Sequence, residues 1–253
     1  MAIARPALVA LASAAVVVAA GAVVVLAATG GDEDDDAPNS TDEAEVSYAP
    51  TIDPASFTTA VDNPYFPLEP GAQWEYEGRT EDGLERTVVE VTNETREVMG
   101  VTCLVVRDTV SLDGEVIEDT YDWFAQDADG AVWYFGEESS EYENGEVVST
   151  EGSWESGVDG AQPGIIMPAE PKVGDAYRQE YYPGEAEDQA EVLSLTETVT
   201  VPVGSYDDVL MTEEINPLEP DVVERKYYAK GVGPILAVQV EGGSDREELV
   251  RQS

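Results

Sequence analysis

The sequence contains no histidine, one cysteine and few bases, 12 Lys+Arg against 54 Asp+Glu in 253 residues. Each shortage closes a class of chemistry. Without imidazole there is no Ser-His-Asp or Cys-His nucleophile, no HExxH zinc site and no histidine pH switch. A single thiol, Cys103, allows neither an internal disulfide nor a cysteine-rich zinc or iron–sulfur site. Lying among apolar neighbours, it reads as a small buried hydrophobe. The formal charge of −42 repels phosphate backbones, so no nucleic-acid partner is expected. Long helical periodicity is absent as well.

What is present begins with an address. Ala7 to Ala28 is an uncharged run of Ala, Val and Leu, broken only by Ser13 and Gly21. It is long enough to cross a bilayer, which takes roughly 20 apolar residues. Arg5 precedes the run and Asp32 to Asp36 follow it, a polarity that puts everything downstream outside the cytoplasmic membrane. Residues 1–30 are therefore a cleaved signal peptide or a retained membrane anchor. Residues 31–54 form an acidic linker. Its first eighteen residues hold eight acids and no base, a composition that cannot bury apolar surface.

Residues 55–253 read as one all-β domain. Asp82-Gly83, Asp113-Gly114, Asp129-Gly130 and Asn144-Gly145 are hairpin dipeptides, flanked by β-branched and aromatic runs. The expectation is an antiparallel meander forming a curved sheet, open barrel or sandwich. Gly157 to Gly174, rich in Gly and Pro, is expected as a long ordered loop. Beyond residue 48 the chain still carries 46 acids against 11 bases, so the acidity belongs to the fold too. Self-repulsion of this size favours a soluble monomer.

One hairpin yields a register. If Asp113-Gly114 is a two-residue turn, Leu104 faces Trp123, Val106 faces Tyr121 and Val110 faces Ile117 on an apolar face. The same register sets Asp108 opposite Asp119 on that face. Opposed like charges are unfavourable, so the pair needs a cation, a shared proton, a neighbouring Arg or water, unless a bulge breaks the register. Asp108 and Asp119 are thus the candidate metal ligands, for weak Ca2+ binding; no other cofactor is implied. Asp127-Ala128-Asp129-Gly130 has an EF-hand flavour, but Ala131 stands at the next ligand position and the turn reading is preferred.

The segments NPYFPLEPGAQWEYEG (Asn63–Gly78), MGVTCLVVRDTV (Met99–Val110), EDTYDWFAQDADGAVWYFGE (Glu118–Glu137) and GSWESGVDGAQPGIIMP (Gly152–Pro168) resemble a family of secreted or envelope-attached bacterial proteins. VPVGSYDDVL (Val201–Leu210) and YYAKGVGPILAV (Tyr227–Val238) are similar to a theme of envelope β-domains. In strand rhythm the chain also resembles the half-barrels of periplasmic lipoprotein and lipid carriers. That resemblance implies an extracytoplasmic location and an open barrel, and assigns no catalytic residue.

The functional expectation is a non-enzymatic β-domain at the cell envelope holding an apolar, amphipathic or lipid-like ligand. Leu104, Val106, Tyr121, Trp123 and Trp133 are the candidate cavity lining, although the aromatic cluster of these two strands must populate both sheet faces. The first alternative is a structural or protein-interaction module of the envelope. The second is a carboxylate-dependent glycosidase using Glu118, Asp119 or Asp122.

Overall fold

The computed structural model describes residues 48–80 and 82–253. The apolar run Ala7–Ala28 and the acidic stretch up to Ser47 lie outside the described residues. A short 3-10 turn, Pro54–Ser56, precedes sixteen strands. The first eight are β1 (Phe57–Thr58), β2 (Gln73–Arg79), β3 (Leu84–Val98), β4 (Val101–Leu112), β5 (Glu115–Asp127), β6 (Val132–Glu143), β7 (Glu146–Ser149) and β8 (Trp154–Glu155). The second eight are β9 (Gln162–Met167), β10 (Ala176–Arg178), β11 (Glu180–Tyr181), β12 (Gln189–Val201), β13 (Gly204–Ile215), β14 (Val223–Ala229), β15 (Gly233–Glu241) and β16 (Arg246–Gln252).

The expected antiparallel all-β meander is the observed fold, curled into a nearly closed barrel. Two meanders, β2 to β6 with β9 and β12 to β16, join where β16 pairs with β2. Their far ends meet on one stretch, Ala176–Tyr181. Its first half, β10, pairs with β12, and its second half, β11, pairs with β9. Gly164 permits that crossing, because a Cβ there would collide with the Gln179 backbone. The region expected as a loop, Gly157 to Gly174, therefore contains a wall strand, β9, at its centre.

The turn chemistry explains the hairpins. Asp113-Gly114 and Asn144-Gly145 both have positive φ at the two central residues, as tight two-residue turns require. Met99-Gly100 turns β3 into β4 in the same way. At Asp129-Gly130 the work is done instead by Asp127, whose Oδ1 accepts the amides of Asp129, Gly130 and Ala131 while Oδ2 accepts Trp133 Nε1. Both oxygens of the EF-hand-like aspartate are thus spent on the turn.

The principal core fills the barrel with residues of nearly every strand, among them Trp74, Tyr76, Val91, Phe124, Tyr134, Leu210, Tyr228 and Leu249. A second cluster lies on the outer face of β4 to β6 and holds the buried Cys103 with Val105, Trp123 and Phe135. Ile52 and Phe57 cover it. Tyr48 is also docked: its hydroxyl donates to the Pro163 carbonyl at 3.0 Å and its ring meets Tyr181 edge-on. Tyr48, within the stretch expected as linker, thus docks on β9 and β11.

The hairpin register needs a correction. Next to the turn, Leu112 faces Glu115 and Ser111 faces Val116, as expected. Ile117 is then an extra residue on β5, and beyond it Val110 faces Glu118, Asp108 faces Thr120 and Leu104 faces Phe124. A one-residue bulge exchanges the two faces of the strand. Asp119 consequently turns outward, where Arg107 grips it through Nε at 2.7 Å and Nη2 at 2.9 Å. Asp108 and Asp119 lie on opposite faces and cannot share a cation.

Candidate functional site

The bulge that sends Asp119 out brings other acids in. Asp122 of β5 faces Glu137 of β6, and Asp108 of β4 points into the same space beside Thr120. Glu247 of β16 enters from across the barrel, opposite Gly78, which contributes no side chain. Asp108, Asp122, Glu137, Glu180 and Glu247 are all buried. A charge so enclosed is costly unless it is paired, and a carboxyl avoids the cost by keeping its proton. Burial pushes Asp122 up to about 8, against the hydrogen bond it accepts from Tyr134 and with the help of the like charge of Glu118. Burial also pushes Glu247 up to about 8, and the charge of Glu85 adds to the rise. Asp108 is pushed well above the usual carboxylate range by burial and then by Asp122, Glu118, Glu247 and Glu137. Glu180 is raised by burial and then by the charges of Asp188 and Glu137, against the hydrogen bond it accepts from Trp154.

One cation lies among these acids. Lys226 of β14 is buried and contacts Glu214 at 2.9 Å and Glu224 at 3.3 Å. Burial alone would lower its pKa, but the two carboxylates more than reverse that, and the ammonium is held above the usual lysine range. Glu214 also accepts from Thr212 and from the Tyr228 hydroxyl. The lysine is fully engaged, so it is a structural charge rather than a free nucleophile. Among the described residues, no group of three or more Asp, Glu or Cys side chains has the geometry to hold a metal ion.

Along β6 the barrel wall changes partner. β6 pairs with β9 through Val132–Tyr134, then with β8 through Gly136 and Glu137. Gly136, at φ 127°, makes the exchange possible, since a Cβ there would strike the Trp154 carbonyl and the Trp123 ring. The result is a lateral cleft of about 280 Å3. Trp123, Trp154, Val158 and Tyr182 give it apolar surface, and Glu137 reaches it from the interior. Arg96 stands at its mouth, its guanidinium 3.8 Å from the centre of the Trp123 ring, paired with Glu155 at 2.5 Å and Glu138 at 3.6 Å. Trp154 Nε1 donates to Glu180 at 3.1 Å, which links the cleft to the interior acids.

The expected cavity lining is divided. Leu104 and Val106 belong to the barrel core, whereas Trp123 belongs to the outer cluster and Tyr121 and Trp133 pack against it. These five side chains enclose no common space. An apolar void inside the barrel, between Phe66, Leu68, Trp74, Tyr76 and Val89, measures about 10 Å3, room for no more than a water. The glycosidase nominees part in the same way, with Glu118 and Asp122 inside and Asp119 outside. Sequence reasoning missed Arg96, Glu137, Trp154 and Tyr182; the one local sign was Gly136, a glycine inside a β-run, which marks a close backbone approach.

No protein-family model and no curated protein matches the chain. Among solved structures, one from Parabacteroides distasonis ATCC 8503, described as a "putative lipoprotein", is similar at a TM-score of 0.42 and 12% identity, over 75% of this chain and 98% of that one.

Proposed function

We propose that this is a non-enzymatic binding module of the cell envelope, exported through the Ala7–Ala28 segment, which holds a small amphipathic ligand in the lateral cleft. The cleft carries this reading. At about 280 Å3 it sits at the small end of the roughly 300–1,000 Å3 range of ligand pockets, and it combines aromatic walls with one buried carboxyl. That size suits a single ring with a short polar arm. The packed barrel interior argues against a fatty acyl chain there. Location rests on the uncharged run and its flanking charges.

The test is native mass spectrometry of the protein purified from its own host, followed by amide chemical shifts on adding back the extracted occupant. A small-molecule occupant whose shifts cluster around Arg96, Glu137, Trp154 and Tyr182 supports the reading. Consistently empty protein that crosslinks to a reproducible protein neighbour on intact cells would replace it with the interaction-module alternative.

A further inference from the structure

We propose that the tip of the β6–β7 hairpin is a docking edge for another protein: a short extended segment, alternating apolar and basic residues, adds to it as a strand beside β7. Residues 141–149, which form the tip, do not line the cleft, so the two sites are independent.

The free edge follows from the turn. Asn144 and Gly145 are its two central residues, with φ of 54° and 78°, so Glu143 and Glu146 are the pair that exchange cross-strand hydrogen bonds. The pair that follows, Tyr142 and Val147, then has no bond between its backbones. The N–H and C=O of Val147 therefore point away from β6. Among the described residues, no strand pairs with β7 on that side. Val147 and Val148 are 52% and 53% exposed, an open apolar edge of the kind that strand addition uses. The register skips Val148, a bulge that shortens the free edge, so the guest is a short segment rather than a long strand.

Alternation tells which side chains the guest needs. Tyr142 and Val147 stand directly opposite each other, so a guest residue beside Val147 meets both on one face of the sheet. The guest residues before and after it lie on the other face, where Glu143 and Glu146 stand opposite each other. Both glutamates are exposed, and neither has an ion-pair partner among the described residues. Like charges directly opposed are unfavourable, and a cation beside them relieves the pair. From Ser139 to Ser153 the chain carries four acids and no base. A second copy of the chain would set those acids against their own images, and an anionic lipid surface would be repelled. A basic strand is the guest whose charge matches.

Three capped hexapeptides test the proposal on the full chain by calorimetry and amide shifts: alternating lysine and valine, alternating glutamate and valine, and the lysine–valine sequence with every backbone amide methylated. The lysine peptide should bind, with shifts centred on Tyr142, Val147 and Val148 and not on Arg96, Trp154 or Tyr182. Its affinity should fall at least about tenfold between about 50 and about 300 mM NaCl. The other two should bind at least about tenfold more weakly, the glutamate peptide through its charge and the methylated one through lost backbone bonds. Val147→Pro removes an N–H that bonds nothing within the sheet, so it should abolish binding with little change in Tm. Should that variant misfold, the methylated peptide decides the matter. Failure of the lysine peptide to bind, equal binding by either of the others, or a β7-dependent dimer in sedimentation velocity overturns the proposal and leaves the reading of the cleft untouched.

Discussion

Raising the pH from 5 to 8 should destabilise this protein, the reverse of what salt-bridged carboxylates produce. Glu247 makes the case most simply. In the unfolded chain it ionises at the ordinary value of 4.5, while in the barrel it holds its proton up to about 8. Between those limits the folded state binds more protons than the unfolded, so stability falls with rising pH, by about 1.4 kcal/mol per pH unit for one such group. The contribution is fully present below pH 4.5 and lost as pH climbs through 8. Over three units the loss is about 4 kcal/mol. Asp122, also titrating at about 8, adds to the same slope, and the two together approach the roughly 5–15 kcal/mol that holds most domains folded. For a domain of this size, 4 kcal/mol corresponds to a fall in Tm of roughly 8–16 °C. There is no histidine to titrate in this window. Thermal melts by tryptophan fluorescence at pH 5, 6, 7 and 8 read the slope. Glu247→Gln keeps the shape of the protonated carboxyl, so it should melt close to the parent at pH 5 and above it at pH 8. A Tm that is flat or rising across the window would refute the argument, and an unchanged slope in Glu247→Gln would remove that residue from it.

Four further outcomes are expected. NaCl and CaCl2 at matched ionic strength should raise Tm equally, because Asp108 and Asp119 face opposite sides of the sheet and the shared effect is screening of an acidic surface; a specific Ca2+ excess lost in Asp119→Asn would contradict this. Lys226→Met should cost about 3–5 kcal/mol in urea melts, since it strands Glu214 and Glu224, and a cost under about 1 kcal/mol would show that the pair carries no buried charge. Gly136→Ala should lower Tm and alter the cleft together, read by melts and by amide shifts at Trp154 and Glu155. Cys103, buried and with its thiol pushed to about 12, should resist alkylation at pH 8 in the folded protein and react fully in urea.

Fold class was legible because its signals are local. Asp113-Gly114 and Asn144-Gly145 turn the chain as their backbone chemistry requires, and the strands around them follow. The register was not legible, since a bulge adds Ile117 without any residue type that marks it, and one extra residue reverses every assignment beyond it. Asp108, Asp122 and Glu137 were hard to place for a related reason. Alternation rules assign acids to the wet face, and only a barrel that keeps its carboxyls protonated lets them point inward. The cleft depends on β6 exchanging β9 for β8, a contact between distant segments that no local pattern encodes.

The stretch Ala176–Tyr181 has a consequence for how the chain assembles. Each meander is built from neighbouring hairpins and can form from local contacts, but the barrel exists only once β16 has found β2 and this stretch has bridged β12 to β9. The β2–β16 seam joins residues more than 150 positions apart, the kind of contact that slows folding. The connection from Pro168 to Asp175 runs between the two meanders, with Gly174 and Val173 exposed. A protease cut there would leave two complementary half-sheets, each retaining its own hairpins and held together along two seams. Co-expressed as separate fragments, 1–170 and 171–253, they should reassemble into the barrel, at a rate that rises with their concentration rather than staying fixed as in the intact chain.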